Sequence, residues 1–168
     1  GLLDRLGGGA WQAKKAKLKE RIKEIADRLM RIAAERALRH APILEAPHSI
    51  WEAFAARFPY QETDDQLSAI ADVVVDLEKG SPMDRLIVGD VGFGKTEVAM
   101  RAAFACAMAG KQVAVVVPTT LLARQHYATF AERFRGLPVQ VGQASRFVSA
   151  QDSKAVKAGL ADGTMDIV

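Results

Sequence analysis

Gly89-Asp90-Val91-Gly92-Phe93-Gly94-Lys95-Thr96 is the stretch on which the fold turns. A glycine, four residues and then Gly-Lys-Thr is the spacing of a phosphate-binding loop. The apolar run Leu86-Ile87-Val88 before it reads as a strand, and Glu97-Val98-Ala99-Met100-Arg101-Ala102-Ala103-Phe104 after it reads as a helix. Strand, loop and helix in that order are the context the spacing requires. The glycines let the backbone wrap an anion with its N–H groups turned inward. The helix that starts where the loop ends adds the positive end of its dipole. In such a loop Lys95 reaches the β- and γ-phosphates of a nucleotide, and the Thr96 hydroxyl ligates Mg²⁺. The competing reading, a chance glycine-rich turn, is disfavoured by the two correct flanks.

Around this loop, helices alternate with short apolar runs. Upstream, Thr63 is a good N-cap, with Asp64 and Asp65 in the first turn, where carboxylates suit the dipole. Leu67, Ile70, Val73, Val74 and Leu77 give that helix one apolar face, and Gly80-Ser81-Pro82 ends it. Downstream, the loop's helix runs to about residue 109 and is closed by Gly110. Val113-Ala114-Val115-Val116-Val117 is an unbroken apolar run, expected of a strand buried on both faces. A helix over residues 121–134, a short strand at 138–141, a helix over 151–160 and a strand opening at 166–168 follow. The predicted fold class is therefore α/β, with a parallel sheet and right-handed crossovers. Residues 58–168 form the nucleotide-binding lobe in this reading. Residues 40–57 form a linker with one small helix over 49–57, N-capped by Ser49, with Trp51, Phe54 and Phe58 turned inward.

The N-terminal part differs in kind. Residues 11–39 contain no Gly or Pro and are dominated by Ala, Lys, Arg, Glu and Leu, which predicts one long helix of ~43 Å. Leu18, Ile22, Ile25, Leu29 and Ile32 fall four, three, four and three apart, a narrow seam. Such a stripe needs a partner surface, and in isolation it offers a route to a homodimer through this helix. Residues 1–41 carry 11 Lys and Arg against 5 Asp and Glu, while the remainder carries 12 against 15. The basic surplus thus lies on the N-terminal segment and not on the nucleotide lobe, and a solvated helix face is the favoured reading over nucleic acid or an acidic partner.

Composition narrows the class further. The 168 residues are 49% hydrophobic and 26% charged, an ordinary globular balance for one good core. No run of ~18 apolar residues suggests a membrane span, and the opening residues do not make a secretory signal. Cys106 is the one cysteine, placed on an apolar helix as a reduced core thiol, so a cytoplasmic location is expected. His40, His48 and His126 are scattered, leaving Mg²⁺ as the one metal expected. After Thr96 no apolar run is followed by Asp-Glu, the group that holds Mg²⁺ and orients water in phosphate-loop ATPases. The lobe is accordingly expected to be incomplete at its C-terminal end, and the chain alone to bind nucleotide without hydrolysing it.

Residues 84–99, which enclose the loop, closely resemble the bacterial transcription-repair coupling factors, a family of superfamily 2 DNA translocases. Val117-Pro118-Thr119-Thr120-Leu121-Leu122-Ala123-Arg124-Gln125-His126 is similar to that family's motif Ia, and Phe58-Pro59-Tyr60 through Gln66 to its Q motif. Leu6-Gly7-Gly8-Gly9-Ala10-Trp11 and the helix beyond resemble the end of its RNA-polymerase-interacting domain and its relay helix. The resemblance implies a RecA-like lobe and divides the chain at 1–9, 10–39, 40–57 and 58–168. It implies ATP or ADP with Mg²⁺ as cofactors. The implied nucleotide contacts are Phe58, Gln66, Gly89, Asp90, Val91, Gly92, Phe93, Gly94, Lys95, Thr96 and Glu97, with Lys95 and Thr96 carrying the chemistry. Phe58 would stack on adenine and Gln66 pair with its edge. Pro118, Thr119, Thr120, Arg124 and Arg146 are the implied contacts to double-stranded DNA. For the two threonines, N-capping of the next helix is a role that fits equally well.

The family's activity is ATP-driven translocation that displaces stalled RNA polymerase and recruits excision repair. RNA polymerase and excision-repair proteins are thus the implied partners. Replication-fork-remodelling helicases share a similar loop and motif Ia; Phe93 and the Leu-Gly-Gly-Gly-Ala-Trp lead-in favour the coupling factors. Two other classes compete: a polymerase-interaction module with a passive nucleotide site, and a small nucleotide kinase, which lacks an evident second-substrate site.

Overall fold

The computed structural model describes residues 8–45 and 47–168. The glycine-rich lead-in assigned to residues 1–9 lies, over residues 1–7, outside the described residues. The chain forms two compact units, Gly1–Ala41 and Pro42–Val168.

The first unit is one helix, α1 (Gly9–Ala37), of 29 residues. Its uninterrupted run of good helix formers sustains it, and it ends five residues before Pro42, whose ring opposes helical geometry in the residue before it. No residue of α1 is buried, since a single amphipathic helix supplies no core of its own.

The second unit holds α2 (His48–Ala55), α3 (Asp64–Glu78), α4 (Lys95–Met108), α5 (Thr120–Arg133) and α6 (Ala150–Asp162). The start of α2 differs from expectation. Pro47, and not Ser49, is its N-cap residue, and no side chain caps it; proline suits a helix start because the N–H it lacks would have no partner there. Thr63 caps α3, as its sequence position suggests, and a reciprocal bond from Gln66 completes a capping box.

Helix α4 is the centre of the unit. It buries Val98, Met100, Ala103, Phe104, Ala105 and Ala107, apolar nearly all round, as a helix enclosed on several sides must be. On one side Val98 meets Ile70 and Val73 of α3. On the other, Phe104 stacks on Phe54 of α2 with ring centroids 4.2 Å apart. Phe134, just past α5, closes on Phe54 at 5.0 Å, and Phe130 stacks on Phe134 at 6.0 Å. Val139 and Ile167 complete this cluster.

The extended segments are parallel where they pair. Ile167 lies between Val113 and Val141 and forms a parallel bridge with each. Val113 N–H donates to Asp166 O at 2.7 Å, Val168 N–H to Val113 O at 2.9 Å, and Gly142 N–H to Ile167 O at 2.8 Å. Among the described residues the pairing takes the form of these two isolated parallel bridges. Leu86-Ile87-Val88 has no regular secondary structure there; Ile87 packs on the Ile70–Val73–Val98 cluster, whereas Leu86 and Val88 are exposed. Residues 113–117 correct the expectation of a strand buried on both faces. Val113, Val115 and Val117 are half-buried, while Ala114 and Val116 are exposed. Side chains alternate across a strand, and within these residues only one of its faces meets the core.

Arg85 fastens the segment before the loop to α3. Its Nε donates to Asp76 Oδ2 at 2.6 Å and its Nη1 to Asp72 Oδ2 at 3.0 Å, and Lys79 Nζ reaches Asp76 Oδ1 at 2.6 Å. The Arg85 guanidinium first, and Lys79 second, lower the Asp76 carboxyl from 3.8 to about 2. A depressed acid contributes stability above its unfolded value and loses it as pH falls through the folded one. The Asp76 contribution is therefore complete above about pH 4 and lost towards pH 2. Asp76→Asn is expected to lower the melting temperature near neutrality and to converge with the parent near pH 2. Parallel melting curves across that range would refute the assignment.

Candidate nucleotide site and motif Ia surface

The loop owes its shape to two glycines. Gly92 (φ +87°) and Gly94 (φ +69°) take left-handed backbone, which costs a residue with a Cβ but not glycine. Gly94 is also the N-cap of α4, and Glu97 N–H donates to its carbonyl at 2.9 Å. A Cβ on Gly94 would stand 2.2 Å from Gln66 Nε2, so the α3 side chain lies directly over the end of the loop. Lys95 Nζ is folded into the loop and donates to Gly89 O at 2.7 Å and Asp90 O at 2.5 Å. Val91 and Phe93, on the outside of the turn, are exposed.

Gln66 has a role that its sequence position did not reveal. Its Oε1 accepts from Thr63 N–H at 2.9 Å, closing the capping box, and its Nε2 donates to Phe93 O at 2.9 Å. One amide thus ties the start of α3 to the tip of the phosphate loop. It retains one N–H and one acceptor site for an adenine edge. Thr63, Asp65, Gln66, Gly89, Asp90, Phe93 and Lys95 line a common depression.

Phe58 lies on a different depression, with Tyr60, Glu97 and Arg133. Its ring meets Tyr60 edge-on at 5.5 Å, and the Arg133 guanidinium sits 5.5 Å from the ring centroid. Glu97 is 1% exposed. Its Oε1 accepts from Arg101 Nε at 2.5 Å and from Arg133 Nη2 at 2.6 Å. Arg101 Nη2 also donates to Glu62 Oε1 at 2.5 Å. The Glu62 carboxyl is held below its usual value, by its own backbone N–H and then by Arg101. Burial lowers the Arg133 guanidinium against the opposing pull of Glu97. Arg57 Nη1 caps the end of α5, donating to Arg135 O at 2.8 Å and Arg133 O at 3.3 Å. None of Glu62, Arg101 and Arg133 was legible as part of this constellation. The available signal was that an apolar helix carrying Glu97 and Arg101 four apart leaves its charges no solvated face.

At the other end of α5, Thr119 Oγ1 accepts from Leu122 N–H at 3.3 Å, the N-cap geometry. Pro118, Thr119, Thr120 and Ser145 line one depression, so the fold brings motif Ia and the segment carrying Arg146 together. Arg124 is exposed one turn into α5, and the Arg146 guanidinium stands 5.5 Å over the Phe147 ring. Among the described residues, no cluster of His, Cys, Asp and Glu could hold a metal ion, and no helix is long and apolar enough to cross a membrane. The loop nevertheless fits a nucleotide phosphate: two left-handed glycines, a helix N-terminus, and the Lys95 ammonium within its turn.

This is a phosphate-loop lobe, and the family model described as DEAD/DEAH box helicase matches residues 63–168. The chain belongs to that family. Within it, the chain is similar to transcription-repair-coupling factors. It is 52% identical to that of Rickettsia bellii (strain RML369-C) over 170 residues, 99% of this chain and 15% of the relative. It is 50% identical to that of Mycobacterium tuberculosis (strain CDC 1551 / Oshkosh) over 167 residues, and 46% identical to that of Bacillus subtilis (strain 168) over 166. Each of these two alignments covers 99% of this chain and 14% of the relative. The chain thus spans about one-seventh of the length of these relatives. Among solved structures, RecG bound to a three-way DNA junction matches with a TM-score of 0.76 and 33% identity, over 82% of this chain and 19% of that one.

Proposed function

We propose that this chain is the ATP-binding part of a double-stranded DNA translocase that displaces stalled RNA polymerase and couples transcription to nucleotide excision repair. The observation that carries the reading is the phosphate loop, with Lys95 inside it and Gln66 bound to its tip, in a chain about half identical over its length to transcription-repair-coupling factors. ATP or ADP with Mg²⁺ is the cofactor, held by the 89–96 backbone, Lys95 and the Thr96 hydroxyl, with Gln66 at the adenine edge; the stacking role expected of Phe58 is not supported by its place on a separate depression. When bound, Mg²⁺ neutralises phosphate charge. Pro118, Thr119, Thr120, Arg124 and Arg146 form the DNA face and supply phosphate contacts without base readout. Helix α1 acts as a relay between the polymerase-binding and motor parts of the parent protein, in the bacterial cytoplasm. The RecG likeness supports a DNA motor equally, and the identity to the coupling factors favours those over fork remodelling.

Calorimetry with Mg-ADP tests the nucleotide site. Lys95 now bonds two loop carbonyls; when it turns to phosphate it makes a charge-assisted contact worth about 1.5–3 kcal/mol. Lys95→Ala is expected to weaken binding by roughly tenfold to 100-fold. Equal affinity in the two proteins would sink the assignment.

A further inference from the structure

Among the described residues of this unit, two buried side-chain atoms have no hydrogen-bond partner, and they belong to residues already bonded to each other: Glu97 Oε2 and Arg133 Nε. Glu97 and Arg133 are 1% and 7% exposed, so neither orphan is satisfied by bulk water. The pairing between them is singly bonded, Arg133 Nη2 to Glu97 Oε1, and the same Oε1 also takes the Arg101 Nε–H. On a guanidinium, the Nε–H and one Nη2–H point the same way and match the two oxygens of a carboxylate. A small rotation of the Glu97 carboxylate would bring Oε2 onto Arg133 Nε and make the two-bond fork, while loosening the bond to Arg101. The observed arrangement has Oε1 shared between two arginines; the geometry of the two groups allows a second, with both oxygens committed to Arg133.

The ends of this pair lie at consequential places. Glu97 follows Lys95 and Thr96 in the first turn of α4, and its N–H is bonded to Gly94 at the end of the loop. Arg133 is the last residue of α5, whose first turn carries Thr120 behind its N-cap Thr119. An α-helix is stiff over its ~20 Å, so displacement at one end moves the other. We propose that the Glu97–Arg133 pair is a positioning device that reports occupancy of the phosphate loop to α5, by changing from the shared to the forked arrangement, and so sets the motif Ia end of that helix. A phosphate in the loop competes for Lys95 Nζ, now held by Gly89 and Asp90. The loop backbone and the first turn of α4 then readjust together, and the Glu97 carboxylate turns with them. This rests on the nucleotide reading above.

Arg133→Lys separates coupling from structure. A lysine keeps the charge and one bond to Glu97 but cannot make the fork. Hydrogen exchange of the α5 amides is measured on the whole chain, with and without saturating Mg-ADP, beside calorimetry of Mg-ADP binding. The parent is expected to bind Mg-ADP and to change exchange in the first turn of α5 severalfold. Arg133→Lys is expected to bind within about threefold of the parent, a small step in affinity, and to lose that change. A variant that binds Mg-ADP and keeps the α5 response overturns the proposal, as does a parent that binds and shows none. A parent that does not bind Mg-ADP overturns the nucleotide reading itself. Should Arg133→Lys fail to fold, Arg133→Gln is measured in its place with the same two criteria, since its amide can donate one bond to Glu97 but cannot make the charged fork.

Discussion

Phe104→Ala is expected to cost about 3–5 kcal/mol of unfolding free energy, the range for emptying a buried aromatic site. Phe104 is fully buried, and it stacks on Phe54 at 4.2 Å while Trp51 and Phe134 lie at 6.0 and 6.4 Å. It is the point at which α2, α4 and the end of α5 share one cluster. The cavity would be lined by rigid rings, which collapse poorly, so the upper half of the range is expected. Urea unfolding followed by the fluorescence of Trp51, with Trp11 replaced by Phe in parent and variant alike, gives the number. A loss under about 1 kcal/mol, the usual size of a surface substitution or less, would mean that the cluster is not the core of this unit. Phe104→Leu should recover most of the loss, because volume-conserving apolar changes cost less.

What the sequence revealed and what it withheld divide along chain distance. The phosphate-loop spacing and the N-caps Thr63 and Thr119 are local features, and the residue types alone mark them. The apolar character of α4 marks a buried helix just as plainly. The Arg133–Glu97 and Arg101–Glu62 pairs join residues 36 and 39 apart. Nothing in a charged residue's local setting says which distant helix will enclose it. Gln66 shows the same limit: its spacing suggests a ligand contact, while its bond to Phe93 spans 27 residues and appears only once α3 lies over the loop. The run at 113–117 misled for a related reason. An unbroken apolar run implies two covered faces, but coverage depends on what packs there, and Val116 is 91% exposed.

Glu97→Ala is expected to be as damaging as loss of the aromatic core, about 3–5 kcal/mol, because it strands charge and not merely volume. Its carboxylate is the shared acceptor of two guanidiniums whose side chains are 4% and 7% exposed. Without it, Arg101 keeps Glu62, a partly exposed partner, and Arg133 keeps no carboxylate among its described ion pairs. Two like charges are then left close together in an interior of low dielectric, where desolvation already lowers Arg133. The aromatic rings offset part of this: Arg133 lies 4.8 Å from the Phe54 ring centroid and Arg101 5.8 Å from that of Trp51. Such cation–π contacts are worth about 0.5–2 kcal/mol each and do not replace the carboxylate. Chemical denaturation of Glu97→Ala, Arg133→Met and the double variant measures the coupling. If stranded charge is the cause, the double variant is expected to be more stable than Glu97→Ala alone, since it removes one of the two unpaired cations. A double variant that loses the sum of the two single losses would show the residues acting independently, each by its own packing.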